Sequence, residues 1–234
     1  MAGDPSPVDR GRSVLAWSAQ ARRGSAAELH SLDLLAVPRS LWRLSPDSGA
    51  IVLGSAQHED VIDGVVARDR GLTVCRRRSG GGVVRLDPDG SLWIDVVVPT
   101  GDPRWDADVH RAFEWLGNAW VAALGDVGVD ATIHRGAPVD PALGRLVCFA
   151  GIGSGEVLVE GAKVVGMSQR RDRRGARFQC VAHRRWDPDD TLSVLGPATA
   201  GLRGELSRRL SDRVAALPHA DDVLDSFTAR VLRG

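Results

Sequence analysis

Several β-type stretches follow one another in this chain with only short loops between them, and that spacing constrains the fold more than anything else in the sequence. GAIVLGSA from Gly49, LTVCRRR from Leu72, SLWIDVVVP from Ser91, DATIHRG from Asp130, LVEGAKVVGMSQRR from Leu158 and RFQCVAHRRW from Arg177 read as strands. Parallel neighbours need a crossover of a dozen or more residues, so short connections call for antiparallel or mixed pairing, not a βαβ repeat. Glu160-Gly161 marks a tight hairpin within LVEGAKVVGMSQRR. In the strand after it, alternation places Lys163, Val165 and Met167 on one face and Val164, Gly166 and Ser168 on the other. In SLWIDVVVP, Leu92, Ile94, Val96 and Val98 alternate with Trp93, Asp95 and Val97. LTVCRRR, the Gly/Pro/Asp-rich loop SGGGVVRLDPDG and SLWIDVVVP together read as a β-hairpin with a long functional loop.

Helices are interspersed. Ser25 to Ala36 carries apolar residues at helical spacing and is ended by Pro38. HEDVIDGVVARDRG follows, with Val61, Ile62, Val65 and Val66 on one face and Gly71 as a stop. The strongest helix spans Asp106 to Leu124, where Val109, Phe113, Leu116, Trp120 and Leu124 recur at three and four behind an acidic start. After Asp187-Pro188 short amphipathic helices run to the end. The expected class is therefore α+β, a mixed, largely antiparallel sheet flanked by helices. At 234 residues and 43% hydrophobic content the chain fits one domain over residues 23–200, with a helical segment at 201–234 packed on it. Residues 1–22 are expected to be a disordered tail, because MAGDPSPVDRGRS is polar, Pro-rich and without the apolar stretch of a signal peptide.

Formal net charge is zero, which removes whole-molecule attraction to nucleic acid or anionic membrane. No run of 18 apolar residues occurs, so no membrane span is expected. Cys75, Cys148 and Cys180 are scattered, odd in number and without metal-ligand spacing; no protein-built metal site is expected, and a reducing cytoplasm fits. Arginine occurs 29 times and lysine once, at Lys163. Lysine offers a compact point charge that arginine does not. Coding bias toward arginine explains the same count, since Tyr is absent and Asn118 is the single Asn. Arg76, Arg77, Arg78 and Arg85 form one basic stretch and Arg170, Arg171, Arg173, Arg174 and Arg177 another. They stand either as solvated strand ends or as two arms of one anion pocket.

Two segments carry chemistry. In RRRSGGG, Gly80, Gly81 and Gly82 leave the backbone bare between two strands, so a ligand can approach the N–H groups, and the preceding arginines add bidentate donors. No GK[ST] follows and no helix opens after it, so it is neither a Walker A loop nor a dinucleotide fingerprint. A flexible surface turn is the bland alternative. In GAKVVGMSQRR, Lys163 lies among small and apolar residues, which suits a partly buried ammonium with an anionic partner, for which a ligand carboxylate or phosphate qualifies. Gly166 lets a ligand lie against the strand.

RRRSGGG followed by VEGAKVVGMSQRR resembles the lipoate-protein ligase and octanoyltransferase family, related to biotin protein ligases. LWRLSPDSGAIVLGSAQ and RGLTVCRRRSGGGVV agree, and the similarity runs from Ala27 to Pro188. The resemblance implies a class II synthetase-like core and an enzyme that activates lipoate or octanoate with ATP and Mg²⁺ to an acyl-adenylate. It then implies transfer to a lysine of a lipoyl carrier domain, that of a 2-oxoacid dehydrogenase or the glycine cleavage H protein. Lys163 matches the lysine that contacts the acyl carbonyl and the adenylate phosphate. Arg77, Arg78, Ser79, Gly80, Gly81, Gly82, Val83, Gly166 and Ser168 match the acid-binding segments. Arg78, Asp87, Lys163, Val164 and Gln169 match the nucleotide side.

The sequence also departs from the family. Leu86 stands where many ligases carry His, and Trp93 where they carry Asn, while Asp87 remains. The chain is shorter than ligases with a C-terminal accessory domain, which leaves room for a separate accessory subunit. VCFAGIGSGEVLVEGAKVVG resembles the octanoyltransferase branch in which a cysteine before Phe carries the acyl chain as a thioester, which makes Cys148 a nucleophile in that alternative; a small buried core residue is the other reading of it. A non-catalytic acyl- or nucleotide-binding relative is the third. His134 and His183 read as structural histidines, Cys75 and Cys180 as core, and Trp93 and Trp186 as core or pocket walls.

Overall fold

Strand Ser91–Pro99 is almost wholly buried on both faces, and the fold is built around it. The computed structural model describes residues 16–233. Among them the strands are β1 (Ser18–Gly24), β2 (Ser40–Pro46), β3 (Ala50–Leu53), β4 (Thr73–Arg76), β5 (Val84–Leu86), β6 (Ser91–Pro99), β7 (Thr132–Ile133), β8 (Val157–Val159), β9 (Ala162–Asp172) and β10 (Gly175–His183). The helices are α1 (Ala26–Ser31), α2 (Gly64–Asp69), α3 (Glu114–Asp126), α4 (Pro141–Leu146), α5 (Pro188–Leu192), α6 (Arg203–Asp212) and α7 (Ala220–Arg233). A seven-stranded sheet has the order β1-β2-β6-β10-β9-β8-β7, and a three-stranded sheet the order β4-β3-β5. Only β1–β2 and β3–β4 are parallel pairs; the rest are antiparallel, as the short loops require.

The large sheet has two working faces. Leu92, Ile94, Val96 and Val98 of β6 join Phe178 and Cys180 of β10 and meet Leu116, Trp120 and Leu124 of α3 and Phe227 of α7. Trp120 stacks on Phe227 with ring centroids 3.8 Å apart. The other face presents Trp93 and Val181 to Val52, Val84 and Leu86 of the small sheet. The site lies between these two sheets.

The hairpin expected from LTVCRRR to SLWIDVVVP does not form. β4 pairs in parallel with β3, and the residues after the glycines double back as β5 to pair antiparallel with the same strand. β6, buried on both sides, joins the large sheet instead. The helix expected from Asp106 starts at Glu114, because the Asp106 and Asp108 carboxylates accept hydrogen bonds from the backbone N–H groups of Asp108, His110 and Arg111 and hold turns there. The helix expected from His58 is confined to α2, which buries Ala67 and leaves Val65 in solvent. Asp63 caps it, and that cap sets the start beyond Ile62. The helix expected over Ser25 to Ala36 is α1 plus a separate 3-10 turn, Leu34–Ala36. Of the tail expected over residues 1–22, residues 1–15 lie outside the described residues, and Ser18 to Arg22 belong to β1.

Candidate active site

The hairpin β8–β9 sets the position of the single lysine. Glu160 and Gly161 take φ of 50° and 79°, the left-handed turn a two-residue hairpin demands. Beyond it Leu158 pairs with Lys163 but Val157 pairs with Val165, so Val164 is an extra residue on β9, a β-bulge. Strict alternation fails at this point. Val164 and Val165 both enter the core under α3, and Lys163 comes onto the same face as Gly166, with Cε 3.3 Å from where a Gly166 Cβ would stand.

Lys163 is 1% exposed. Its Nζ lies 2.7 Å from Glu156 Oε1 and donates to the carbonyls of Cys148 and Gly151, each at 3.0 Å. The ammonium also sits 5.0 Å from the Phe149 ring centroid. Glu156 is itself fixed, accepting from the N–H groups of Met167 and Gly153. The anionic partner that a buried ammonium requires is therefore supplied by the chain, and the expectation that a ligand is the counter-ion of Lys163 is replaced by this ion pair.

Arg77 is different. It is 4% exposed and donates to the carbonyls of Gly80, Gly82 and Val52. Among the described residues it makes no salt bridge, and burial holds its pKa below the ordinary guanidinium value. These bonds curl the triple-glycine loop around a cation that lacks a neighbouring carboxylate. The three glycines play unequal parts. Gly81 takes φ +98°, and a Cβ on Gly82 would fall 2.6 Å from the Leu146 and Val147 backbone, whereas Gly80 faces open space. That close approach lets Val83 pair with Val147, and the Cys148 N–H donates to the Val83 carbonyl. The glycine loop thus holds the cysteine segment by its backbone.

These elements enclose a narrow slot of about 30 Å³ lined by His30, Val52, Arg77, Val84, Leu86, Trp93, Cys148, Phe149, Gly166, Met167, Ser168, Gln179 and Val181. The walls are mostly apolar, and Gly166 and Phe149 narrow the slot. Ser79 lies behind the wall, its hydroxyl 2.7 Å from Gln179 Oε1 and 3.1 Å from Ser168 Oγ. Cys148 and Gly81 also border an open groove of about 220 Å³ that includes Gly151, Gly153 and Glu156, so the thiol stands between the slot and solvent.

Of the residues the sequence singled out, Arg77, Ser79, Gly81, Gly82, Cys148, Lys163, Gly166 and Ser168 converge here. Val83 is buried beside Ile51 and Leu53 and acts through its backbone. Arg78 and Gly80 are exposed. Val164 is core on the opposite face. Gln169 donates to the Val109 carbonyl and accepts from Arg171. Asp87 is paired with Arg85 at 2.9 Å, beside His183 and Trp186 in a separate small cavity. The second arginine run is mostly tied up as well: Arg174 pairs with Asp33 and Asp172, and Arg177 with buried Asp95. Sequence reasoning missed Glu156, Phe149 and His30. Glu156 was within reach, because the hairpin register carries it to the strand opposite Gly166; no local signal marks His30.

Two sheets clasping an apolar slot, with a glycine loop and a buried lysine at one end, define the acyl-ligase class of fold. Residues 32–220 match the family described as the lipoyl protein ligase A/B catalytic domain, and the chain belongs to that family. No curated protein matches it in sequence. Among solved structures it is similar to protein Ta0514 of T. acidophilum with bound lipoic acid (TM-score 0.71, 17% identity, covering 94% of this chain and 87% of that one). It is also similar to the bi-partite lipoate protein ligase of Thermoplasma acidophilum, studied with its E2 lipoyl domain (TM-score 0.72, 17% identity, 93% and 83% covered). A third is lipoate-protein ligase A bound with ATP (TM-score 0.67, 19% identity, 94% and 86% covered). No helix among the described residues is long and apolar enough to cross a membrane.

Proposed function

We propose that this protein is a lipoate-protein ligase that activates lipoate or octanoate with MgATP to an acyl-adenylate and passes the acyl group to a lysine of a lipoyl carrier domain. The observation that carries this reading is Arg77, a buried cation without a carboxylate neighbour on the wall of a narrow apolar slot. A fatty acid matches the chemistry of both halves of that site, its chain the apolar walls and its carboxylate the guanidinium, and the slot of about 30 Å³ widens to admit it. Each methylene it buries contributes about 0.8 kcal/mol.

Attack of the acid's carboxylate on the α-phosphorus of ATP forms the acyl–phosphate bond and expels pyrophosphate; the carrier lysine then takes the acyl carbon and releases AMP. Arg77 and Lys163 lower the repulsion between the two anions and stabilise the charge that develops on the transferring oxygens. Lys163 reaches the acyl carbonyl by exchanging one of its two carbonyl partners, Cys148 or Gly151. Arg78, exposed at the outer side of the loop, is available to the nucleotide. Among the described residues no three His, Cys, Asp or Glu side chains cluster as a metal cage, so the reading takes Mg²⁺ as part of MgATP. The setting is the cytoplasm, the carriers are the lipoyl domains of 2-oxoacid dehydrogenases or H protein, and an accessory subunit is compatible with it.

One observation favours a second reading: Cys148 lines the slot, with Sγ 3.7 Å from the Cβ position of Gly81. As an octanoyltransferase the protein would form a thioester at this thiol, releasing the donor carrier's thiol. Lipoate- or octanoate-dependent exchange of pyrophosphate into ATP, retained in Cys148→Ser, supports the ligase. A hydroxylamine-labile octanoyl adduct that disappears in Cys148→Ser, with no exchange, replaces it. Binding of either acid without exchange or adduct leaves the non-catalytic relative.

A further inference from the structure

The three groups that hold the Lys163 ammonium belong to residues that also border the open groove: the Cys148 and Gly151 carbonyls, each at 3.0 Å, and Glu156 Oε1 at 2.7 Å. The groove therefore leads from the surface to that ammonium along a path separate from the slot, and Cys148 is the residue the two share. Its apolar walls are Pro138, Val139, Pro141 and Ile152, with Val139 36% exposed. The backbone there is braced. Val139 and Ile152 exchange hydrogen bonds at 2.9 and 3.0 Å, and a Cβ on Gly151 would stand 2.8 Å from the Gly144 Cα. The groove is thus preformed.

Among the described residues two charged side chains stand on its wall, at different depths: Arg145 is exposed, and Glu156 is 4% exposed. An ionised carboxylate offers about four acceptor positions. Among the described residues Glu156 Oε1 takes the Lys163 ammonium and the Met167 N–H, while Oε2 takes the Gly153 N–H alone, at 2.7 Å. Oε2 is also the atom nearest to where a Gly153 Cβ would stand, 3.7 Å away, and Gly153 borders the groove. The inner end of an apolar groove thus keeps one anionic acceptor position free. A methylene stem with a compact cationic tip matches it, and that is a lysine side chain; a triphosphate would meet the carboxylate as a like charge. We propose that this groove admits the acceptor lysine of the carrier domain, its stem along Val139 and Ile152 and its ammonium against Glu156 Oε2, beside the acyl carbonyl that Lys163 contacts. In transfer the ammonium gives up one proton to water in the open groove. The nitrogen then bonds to the acyl carbon, AMP leaves with the electron pair of the broken acyl–oxygen bond, and the second surplus proton follows to water.

The proposal rests on the ligase reading, and measuring the two half-reactions separately tells their failures apart. Val139→Arg fills the groove and adds a like charge to it. With the full chain, lipoate-dependent exchange of pyrophosphate into ATP should be unchanged in this variant. Transfer to the apo lipoyl domain of a 2-oxoacid dehydrogenase should fall about tenfold or more, and Val139→Ala should transfer as wild type does. Transfer unaffected in Val139→Arg overturns the proposal and leaves the ligase standing. Loss of exchange together with transfer, in a variant that unfolds where wild type does, assigns the groove to the first step and overturns it as well. Wild-type protein supplies a check that needs no substitution. Titration with Nα-acetyl-lysine N-methylamide should shift the backbone N–H signals of Val139, Ile152 and Gly153, and the norleucine analogue, which lacks the ammonium, should leave them in place. Equal shifts with both probes, or shifts only elsewhere, overturn the proposal. Absence of exchange in wild type removes the ligase reading and this inference with it.

Discussion

The Glu156 carboxylate lies 2.7 Å from the Lys163 ammonium, and both groups are almost entirely withdrawn from water, 4% and 1% exposed. Breaking such a pair from one side strands a buried charge at a cost of about 3–5 kcal/mol, whereas replacing both partners is often close to neutral. Glu156→Gln should therefore lower the unfolding free energy in urea by about 3 kcal/mol. Lys163→Met added to it should recover most of that loss. Additive losses in the double variant would show that the two side chains act separately.

Lys163→Arg keeps the charge and changes the shape. The ammonium fits three acceptors in a space bounded by Phe149 and Gly166. A planar guanidinium with five donors overfills that space, at about 1–3 kcal/mol, and misdirects the stabilising charge. Acyl-dependent pyrophosphate exchange should fall about a hundredfold, the scale of one lost oxyanion donor. Near-normal turnover would contradict the role given to Lys163.

The glycine loop invites a direct comparison. A methyl group on Gly80 meets nothing within 4 Å, whereas on Gly82 it lands 2.6 Å from the Leu146 and Val147 backbone. Gly80→Ala should bind lipoate as wild type does. Gly82→Ala should push the loop off the Cys148 segment and weaken binding at least tenfold, an effect of about 1.4 kcal/mol or more. Equal affinities in the two variants would mean that the loop is a solvated turn.

Stability should fall in mild acid. Burial lowers His30 to about 3 and His183 to about 4 from an ordinary 6.5. Between about pH 4 and 6.5 the unfolded chain binds these protons and the folded chain does not, so unfolding free energy rises with pH across that window. Each histidine contributes up to about 1.4 kcal/mol per pH unit. His30→Phe should remove close to one proton from the slope measured by urea titrations at pH 4.5 and 6, and an unchanged slope would place the His30 ring in water.

Much of the candidate site is legible because it lies in short segments. The triple glycine and the strand after Glu160-Gly161 carry their chemistry locally, and the structure brings Arg77, Gly166 and Ser168 to the wall of one slot, with Cys148 from a third segment and Lys163 next to Gly166. The facing of β9 was misjudged because one inserted residue, Val164, reverses alternation, and a bulge has no signature in composition. Asp87 and Gln169 looked available because a sequence does not reveal that Arg85, Arg171 and Val109 already engage them. His30 was invisible for a related reason: it reaches the slot from a helix 149 positions away from Gln179. The expected Gly-loop hairpin failed because β4 and β5 both prefer β3 as partner.

The backbone at the bulge is held from outside the hairpin. The Lys163 N–H donates to the Arg213 carbonyl at 2.8 Å and the Lys163 carbonyl accepts from Ala215 N–H at 3.1 Å, while Trp186 Nε1 donates to Leu210 at the end of α6. The segment that joins α6 to α7 therefore braces the backbone that carries Lys163. Anything that loosens this brace, whether a truncation, a fused tag pulling on the end or a partner that draws the helices away, will be felt at Lys163 before it is felt by the rest of the sheet.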